Sequence, residues 1–478
     1  MVTAISPDSG DALRSADSPR PVYVKRGAFM GDIENWQYSQ KLITADQAAQ
    51  MVKSGDLVHY SEFILFPEAL DAALARRRIE LENVEIRSVC FTRVPQVVKV
   101  DPERRHFIMS DYHFGMASRR LHDQNLCNYI PMTYHMGPRT IRKYIDIDVF
   151  FLVTGPMDPR GFFNFGIGNS VTAAVLQKAK KIIVEVNKNV PYCLGGNQES
   201  IHISRVDHIV EGANTPLLEI PPSKPTDTDR QIASHVMKEI KDGCCLQLGI
   251  GGLPNVVGAM IAESDLKDLG IHTEMLVDSC VDLYNAGKIT GARKNIDTYK
   301  MCYTFAMGTN KLYAFLHNNP VCASYPVNYI NDPRVIALND NMIAINNALE
   351  VDLYGQVCSE SVGAAQKSGT GGQLDFIFGA FRSRGGKGLI CLASTYTDAE
   401  GRKQSRIRPA ITPGSVVTVP RSITHYVITE YGTAQLKGKS TWQRAEALVN
   451  IAHPDFREEL IREADAMKIW LRSNKKGA

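Results

Sequence analysis

The chain has 478 residues, of which 44% are hydrophobic and 22% charged, and its formal net charge is +3 at neutral pH. That balance excludes a disordered chain, and at roughly 100–200 residues per domain the length makes two to four domains. The small net charge gives no support to broad charge-driven binding of nucleic acid or membrane surface, and no apolar run reaches the roughly 18–20 residues that span a bilayer.

From the N-terminus, the opening residues are polar and carry Asp8, Asp11 and Asp17. They lack the apolar stretch of a secretion signal and the acid-poor, Arg-rich character of a transit peptide, so the expectation is a cytoplasmic protein with a disordered leader over 1–22. The segment 45–60 reads as a helix running into a strand, with Gly55 as the left-handed C-terminal cap of the helix. Phe66-Pro67-Glu68 follows it. Strand-like runs then appear at 149–153 and 181–186. At 217–228 the character changes, because Pro221, Pro222 and Pro225 can continue neither a helix nor an inner strand, and a domain boundary is placed there.

Beyond that boundary the order repeats. Residues 229–248 again read as a helix running into a strand, with Gly243 where the first copy has Gly55, and Leu253-Pro254-Asn255 follows where the first has Phe66-Pro67-Glu68. The shared order predicts an internal duplication, with α/β halves at 23–220 and 221–478. Further strands are expected at 335–338, 388–392 and 415–419. The stretch from Thr441 to Leu471 is helical in pattern and is expected to pack back on the second half. Strands mixed with helices along the whole chain predict α/β layers around largely parallel sheets.

Several chemistries find no local support. None of the ten cysteines makes a CxxC pair, so buried reduced thiols are expected rather than a zinc site. The twelve histidines are scattered, and neither HExxH nor GxSxG occurs. In Gly249-Ile250-Gly251-Gly252-Leu253-Pro254 the proline stands where a dinucleotide fingerprint needs its third glycine. The stretch from Gly432 to Ser440 resembles a P-loop but has one residue too many between its glycines.

Two glycine-rich turns remain. Gly249-Ile250-Gly251-Gly252-Leu253-Pro254-Asn255 directly follows the apolar strand 244–248, with Asn255 starting a helical pattern; the other is Gly369-Thr370-Gly371-Gly372-Gln373-Leu374-Asp375-Phe376. Such glycines let the backbone approach a ligand and leave amides free to meet an anion. Tight strand-to-helix turns with no ligand would use the same residues. Between the turns, Glu274 sits among apolar residues in a stretch of strand character over 271–277. It is either decoration at a strand end or a functional carboxylate held near the loops.

Together, these stretches resemble the acetyl-CoA hydrolase/transferase family, and within it the 4-hydroxybutyrate and butyrate:acetate CoA-transferases. The likeness is carried in order by residues 156–166 (PMDPRGFFNFG), the GIGGLP loop, His272-Thr273-Glu274-Met275, residues 344–352, the GTGGQLDF loop and Val427-Ile428-Thr429-Glu430-Tyr431-Gly432. The resemblance implies two similar CoA-transferase-type α/β domains and a covalent nucleophile at Glu274. It implies a CoA-binding loop of Ile250, Gly251, Gly252, Leu253, Pro254 and Asn255 that supplies oxyanion-hole amides. Leu349, Gly371 and Gly372 would add CoA contacts, and Glu430 would help position the nucleophile. Coenzyme A enters as part of the substrate, the second substrate is a short-chain carboxylate, and neither a metal nor a redox cofactor is needed. Acetate exchanged with butyrate or 4-hydroxybutyrate, and a homodimer, are the implied substrates and assembly. Hydrolysis of acyl-CoA by the same glutamate is the closest alternative, and a noncatalytic CoA sensor is a more distant one. Arg402, Lys403, Arg406, Lys437 and Lys439 are candidates for the CoA phosphates, or equally a solvated basic surface.

Overall fold

Helix starts are set by local chemistry. Thr44 with Gln47, Thr226 with Asp229, and Ser440 with Gln443 each form a reciprocal capping box that satisfies otherwise orphaned N–H groups. The computed structural model describes residues 30–469, so the expected leader over 1–22 lies outside the described residues.

Each half is built on one mixed α/β sheet. In the first, the strand order is Asn128–Tyr129, Phe107–Asp111, Val84–Ser88, Leu57–Tyr60, Ile147–Thr154, Ala179–Val186, His208–Glu211, parallel throughout. In the second the order is Gly270–Ile271, Cys245–Gln247, Met342–Asn347, Lys387–Cys391, Tyr426–Thr429, Gly432–Gln435, and only the last strand runs antiparallel. Leu57–Tyr60 and Cys245–Gln247 hold the same place. Each lies where the strand order reverses, with the next sheet strand in sequence on one side and a later one on the other. Ligands of open α/β sheets bind in the crevice at such reversal points, beyond the carboxyl ends of the strands.

The duplication extends to single atoms. Gly55 (φ +82°) and Gly243 (φ +75°) both take the left-handed conformation. The Gly55 N–H donates to Glu82 O and the Gly243 N–H to Lys267 O, both at 2.9 Å, each time to a residue two or three positions ahead of the neighbouring strand. Neither glycine caps a helix, contrary to the sequence reading. The helices Ala45–Ala49 and Asp227–Met237 stop several residues earlier, and the glycines turn the chain into the strand.

Two expected strands are absent. Residues 335–338 belong to a short helix and its exit, Pro333–Ile336, because Pro333 pre-sets the first helical φ and Asp332 caps the Arg334 N–H. Residues 415–419 follow a left-handed Gly414 and leave Val416 and Val417 in solvent, and only Val419 makes a bridge, to Val357. The expected strands at 149–153, 181–186 and 388–392 lie in or on the strands Ile147–Thr154, Ala179–Val186 and Lys387–Cys391. The C-terminal helices are Thr441–Asn450 and Pro454–Ala466, with Leu448, Val449 and Leu460 in a core of the second half.

Residues 212–226 carry neither helix nor strand. Despite this break, one cluster of buried apolar side chains runs across both halves, from Phe150 and Val184 to Ile232, Leu246 and Leu312. All ten cysteines are buried and unpaired.

Candidate active site

The short segment that carries Glu274 is tied to the second-half reversal point. The His272 N–H donates to Leu246 O at 3.1 Å, and Thr273 Oγ1 donates to Leu248 O at 3.1 Å, just ahead of the GIGGLP loop. On the other side Thr273 N–H bonds Cys302 O, and the Glu274 carbonyl accepts from the N–H groups of Thr304 (3.0 Å) and Phe305 (3.2 Å). The expected strand over 271–277 is thus two very short strands, Gly270–Ile271 and Met275–Leu276, with Glu274 at the break.

That break aims the Glu274 side chain at the second glycine loop. A Cβ added to Gly372 would fall 1.9 Å from Glu274 Oε2 and 2.3 Å from Asn331 Nδ2, so only glycine allows this approach. Asn331 Nδ2 donates to Oε2 at 2.6 Å. Behind it stands buried Asp375, whose Oδ1 bonds His135 Nδ1 at 2.7 Å and whose Oδ2 accepts the His135 N–H at 3.1 Å. Burial lifts the Glu274 carboxyl to about 7; the Asn331 hydrogen bond opposes the rise and the Asp375 charge adds to it. Burial also raises Asp375, against the pull of its hydrogen bond to His135. Burial alone would lower His135, but the bond and charge of Asp375 carry its pKa above the ordinary value.

The site is closed by the first half. Phe63 stacks on Phe305 with ring centroids 3.8 Å apart. These two, with Val89, Tyr112, Met132 and Tyr134, line a cavity of about 40 Å³ that Glu274 and Gly371 reach from the second half. Gly369 packs so closely on Tyr112 that a Cβ there would lie 2.7 Å from the Tyr112 carbonyl oxygen. A larger groove of about 880 Å³ runs elsewhere along the seam, lined by Pro156, Asp158, Arg160, Lys188, Tyr192 and His317, and it includes none of the candidate residues.

The two glycine loops meet through Asn347. Its carbonyl accepts from Gln373 Nε2 at 2.6 Å, and its Nδ2 would lie 3.8 Å from a Cβ on Gly251. Gly251 (φ +129°) precedes the helix Gly252–Glu263, which therefore begins before Asn255 and contains Leu253 and Pro254. Ile250 is 45% exposed, and a Cβ on Gly249 would meet no protein atom within 4 Å. The loop is open to solvent at Gly249 and Ile250. Asn255 turns its amide to Ser223 O at 3.4 Å. Leu349 follows Met342–Asn347, and its carbonyl accepts from Arg406, one of the five candidate cations, at 2.9 Å. Arg402 is held by Asp398 and Glu400, and Lys403 by Asp455.

Glu430 is bonded to Ser394 and not to the groups that hold Glu274. Its two oxygens accept from the Ser394 N–H (2.9 Å) and Oγ (2.6 Å), which fixes the chain beyond Lys387–Cys391. Sequence reasoning brings forward Glu274 and both loops, but not Asn331, His135, Asn347 or the aromatic cavity wall. Asp375 lies within the GTGGQLDF motif and could have been singled out as its one carboxylate. Asn331 and His135 have no local signal.

Residues 30–220 match the acetyl-CoA hydrolase/transferase N-terminal domain and residues 308–464 the C-terminal domain, leaving Glu274 and the GIGGLP loop between the two matches. The butyryl-CoA:acetate CoA-transferase of Anaerostipes caccae is 53% identical over 92% of this chain and 99% of its own length. The 4-hydroxybutyrate coenzyme A transferase of Clostridium kluyveri is 40% identical over 89% of this chain and 97% of its own. The crystal structure of RipA from Yersinia pestis superposes with a TM-score of 0.82 at 35% identity, covering 91% of this chain and all (100%) of that one. With two CoA-transferase-type α/β halves and matches that run almost from end to end, the chain belongs to the acetyl-CoA hydrolase/transferase family.

Proposed function

We propose that this protein exchanges coenzyme A between an acyl-CoA and a short-chain carboxylate through covalent intermediates on Glu274. The observation that carries this reading is the setting of Glu274: a carboxyl lifted to about 7, pressed on the Gly372 backbone, at a small cavity between the halves. Perturbed carboxyls in clefts mark candidate sites of chemistry. The cavity of about 40 Å³ compares with the roughly 10–15 Å³ that one water needs, a small space in keeping with a short acid. The relatives named for butyrate, acetate and 4-hydroxybutyrate support those acids as substrates.

The chemistry follows from the residues. The Glu274 carboxylate attacks the acyl-CoA carbonyl, the C–S bond breaks, and CoA leaves as thiolate from an acyl-glutamyl anhydride. The thiolate then attacks the glutamyl carbonyl, expelling the first acid and leaving a glutamyl–CoA thioester. The acceptor carboxylate repeats these steps in reverse. Each attack creates an oxyanion, for which backbone amides of the two glycine loops are the candidate donors; losing one such donor typically costs about 3–4 kcal/mol. Thioester is exchanged for thioester, so little free energy is lost. Asn331 holds the nucleophile and favours its ionised form.

The test is to incubate the protein with acyl-CoA and no acceptor, then add hydroxylamine. A hydroxamate should appear at Glu274 by peptide mass spectrometry and be missing in Glu274→Gln. A mark at Glu360 or Glu430 would move the active site. Steady release of free thiol without an acceptor would instead make the protein a hydrolase.

A further inference from the structure

Glu62 is a buried carboxyl that the exchange chemistry leaves unused. It is 1% exposed, and neither carboxyl oxygen makes a hydrogen bond. The Ser170 hydroxyl and the Val171 N–H lie beside it without closing a bond of good geometry. A bare carboxylate in such a place would be very costly, whereas the neutral acid is tolerable.

Its position ties it to the active site. It follows Leu57–Tyr60 at the reversal point of the first half, the place that the duplication gives to the GIGGLP loop in the second. The chain is left-handed on both sides of the carboxyl, at Phe63 (φ +54°) and Ser170 (φ +40°). Side-chain-bearing residues hold such φ values only where the surroundings over-determine them, and they cluster at functional sites. Phe63 forms the cavity wall with Phe305. Ser170 Oγ is hydrogen-bonded to the Tyr134 hydroxyl, and Tyr134 lines the cavity and senses the charges of both Glu62 and Glu274.

Given the exchange reaction proposed above, we infer that Glu62 is a proton-holding positioning residue. As a neutral acid it packs beside the Ser170–Tyr134 pair without burying a charge against the cavity wall shared with Glu274, and its ionisation hinders entry of the acceptor carboxylate. The surroundings supply no compensating charge. Tyr112 and Tyr134 are both pushed up by burial, as is Cys90, so all three stay neutral. His59, on the preceding strand, is pushed down to about 3 by burial and is neutral as well. Arg87, on the adjacent strand, is paired with Glu85. Glu274, the other carboxyl that acts on Tyr134, is itself acidic. Burial pushes Glu62 up to about 8, so it is neutral below that pH and charged above it.

The experiment has two readouts. First, the acceptor KM should stay level to about pH 8 and then rise about tenfold per pH unit as the acid ionises. In Glu62→Gln, which keeps the shape of the neutral acid, the KM should stay flat. Ser170→Ala removes a group that favours the charged form, so it should move the rise to higher pH. Second, the infrared carbonyl band of a protonated carboxyl should bleach in the unliganded protein as the pH passes through 8, and Glu62→Gln should lack this change. The band needs no turnover, so its presence in a protein without exchange activity would count against the proposed reaction and not against Glu62. An alkaline rise that persists in Glu62→Gln, a fall in kcat alone at every pH, or a bleaching band unchanged in the variant would each overturn the assignment.

Discussion

A carboxyl that burial lifts to about 7 is protonated, and so a poor nucleophile, on the acid side of neutrality. The donor half-reaction, followed as CoA trapped on the protein, should therefore rise about tenfold per pH unit at low pH and level off above about 7. Asn331 favours the ionised form through its 2.6 Å bond. Asn331→Ala should move this limb to higher pH and lose more rate at pH 6 than at pH 8.5, and a limb that stays in place would remove Asn331 from this role. The same proton links to stability. A folded-state pKa above the ordinary carboxylate value means that the native state binds the proton more tightly, so stability falls as pH rises towards and through 7. Other buried carboxyls raised by burial, such as Glu185 at about 7, add to the same fall, so Glu274→Gln should make it shallower in thermal unfolding. Gly372→Ala places a methyl group where Oε2 now lies and should reduce exchange at least about 100-fold, since misplacement by an ångström has that cost. The two glycine turns stand out as local runs, but the local sequence leaves Glu274 as strand-end decoration or functional carboxylate, and only the family resemblance gives it and the loops their proposed roles. Asn331 and His135 were not legible, since each is an ordinary polar residue brought in from a distant segment.

At the scale of elements, the GIGGLP loop separates the demands of backbone from those of ligand. A Cβ on Gly249 meets no protein atom within 4 Å, and its φ is not in the left-handed region. Gly249→Ala should therefore leave the melting temperature unchanged, and a rise in the acyl-CoA KM of about tenfold or more, about 1.4 kcal/mol, would report a clash with substrate alone. Gly251, at φ +129°, occupies a region that is strained for any side chain, so Gly251→Ala should also cost about 1–3 kcal/mol in folding. Equal stability losses in the two variants would contradict this division. The long apolar strands were legible because nearly all of each apolar run is buried. The runs 335–338 and 415–419 misled because β-branched composition was read without its surroundings: Asp332 and Pro333 start a helix in one, and solvent covers the valines of the other. Gly55 and Gly243 were rightly paired but given the wrong task, because the helices stop short of them.

In the whole molecule, the chemistry depends on how the halves meet. Phe63 stacks on Phe305, His135 bonds Asp375, and Tyr129 donates to Glu360 at 3.2 Å, so all three contacts join a first-half residue to one near the second-half loops. The connection between the halves is pinned at its start, where the Tyr313 hydroxyl donates to Leu218 O at 2.8 Å and the Ile220 N–H to Gly308 O at 2.8 Å. Residues 221–226 beyond it are exposed and carry neither helix nor strand. Exposed segments of this kind are the preferred sites of proteolytic nicking. A core shared by the halves, rather than the peptide link, should hold them together. A protease site placed within 221–226 and cut after folding should therefore leave two fragments that co-elute and exchange CoA at a rate within about twofold of the intact chain. Unfolding the nicked protein should slow its recovery, because closing the shared core becomes a bimolecular step. Fragments that separate without denaturant would show that the linker, and not the buried seam, keeps Glu274 against the first-half wall.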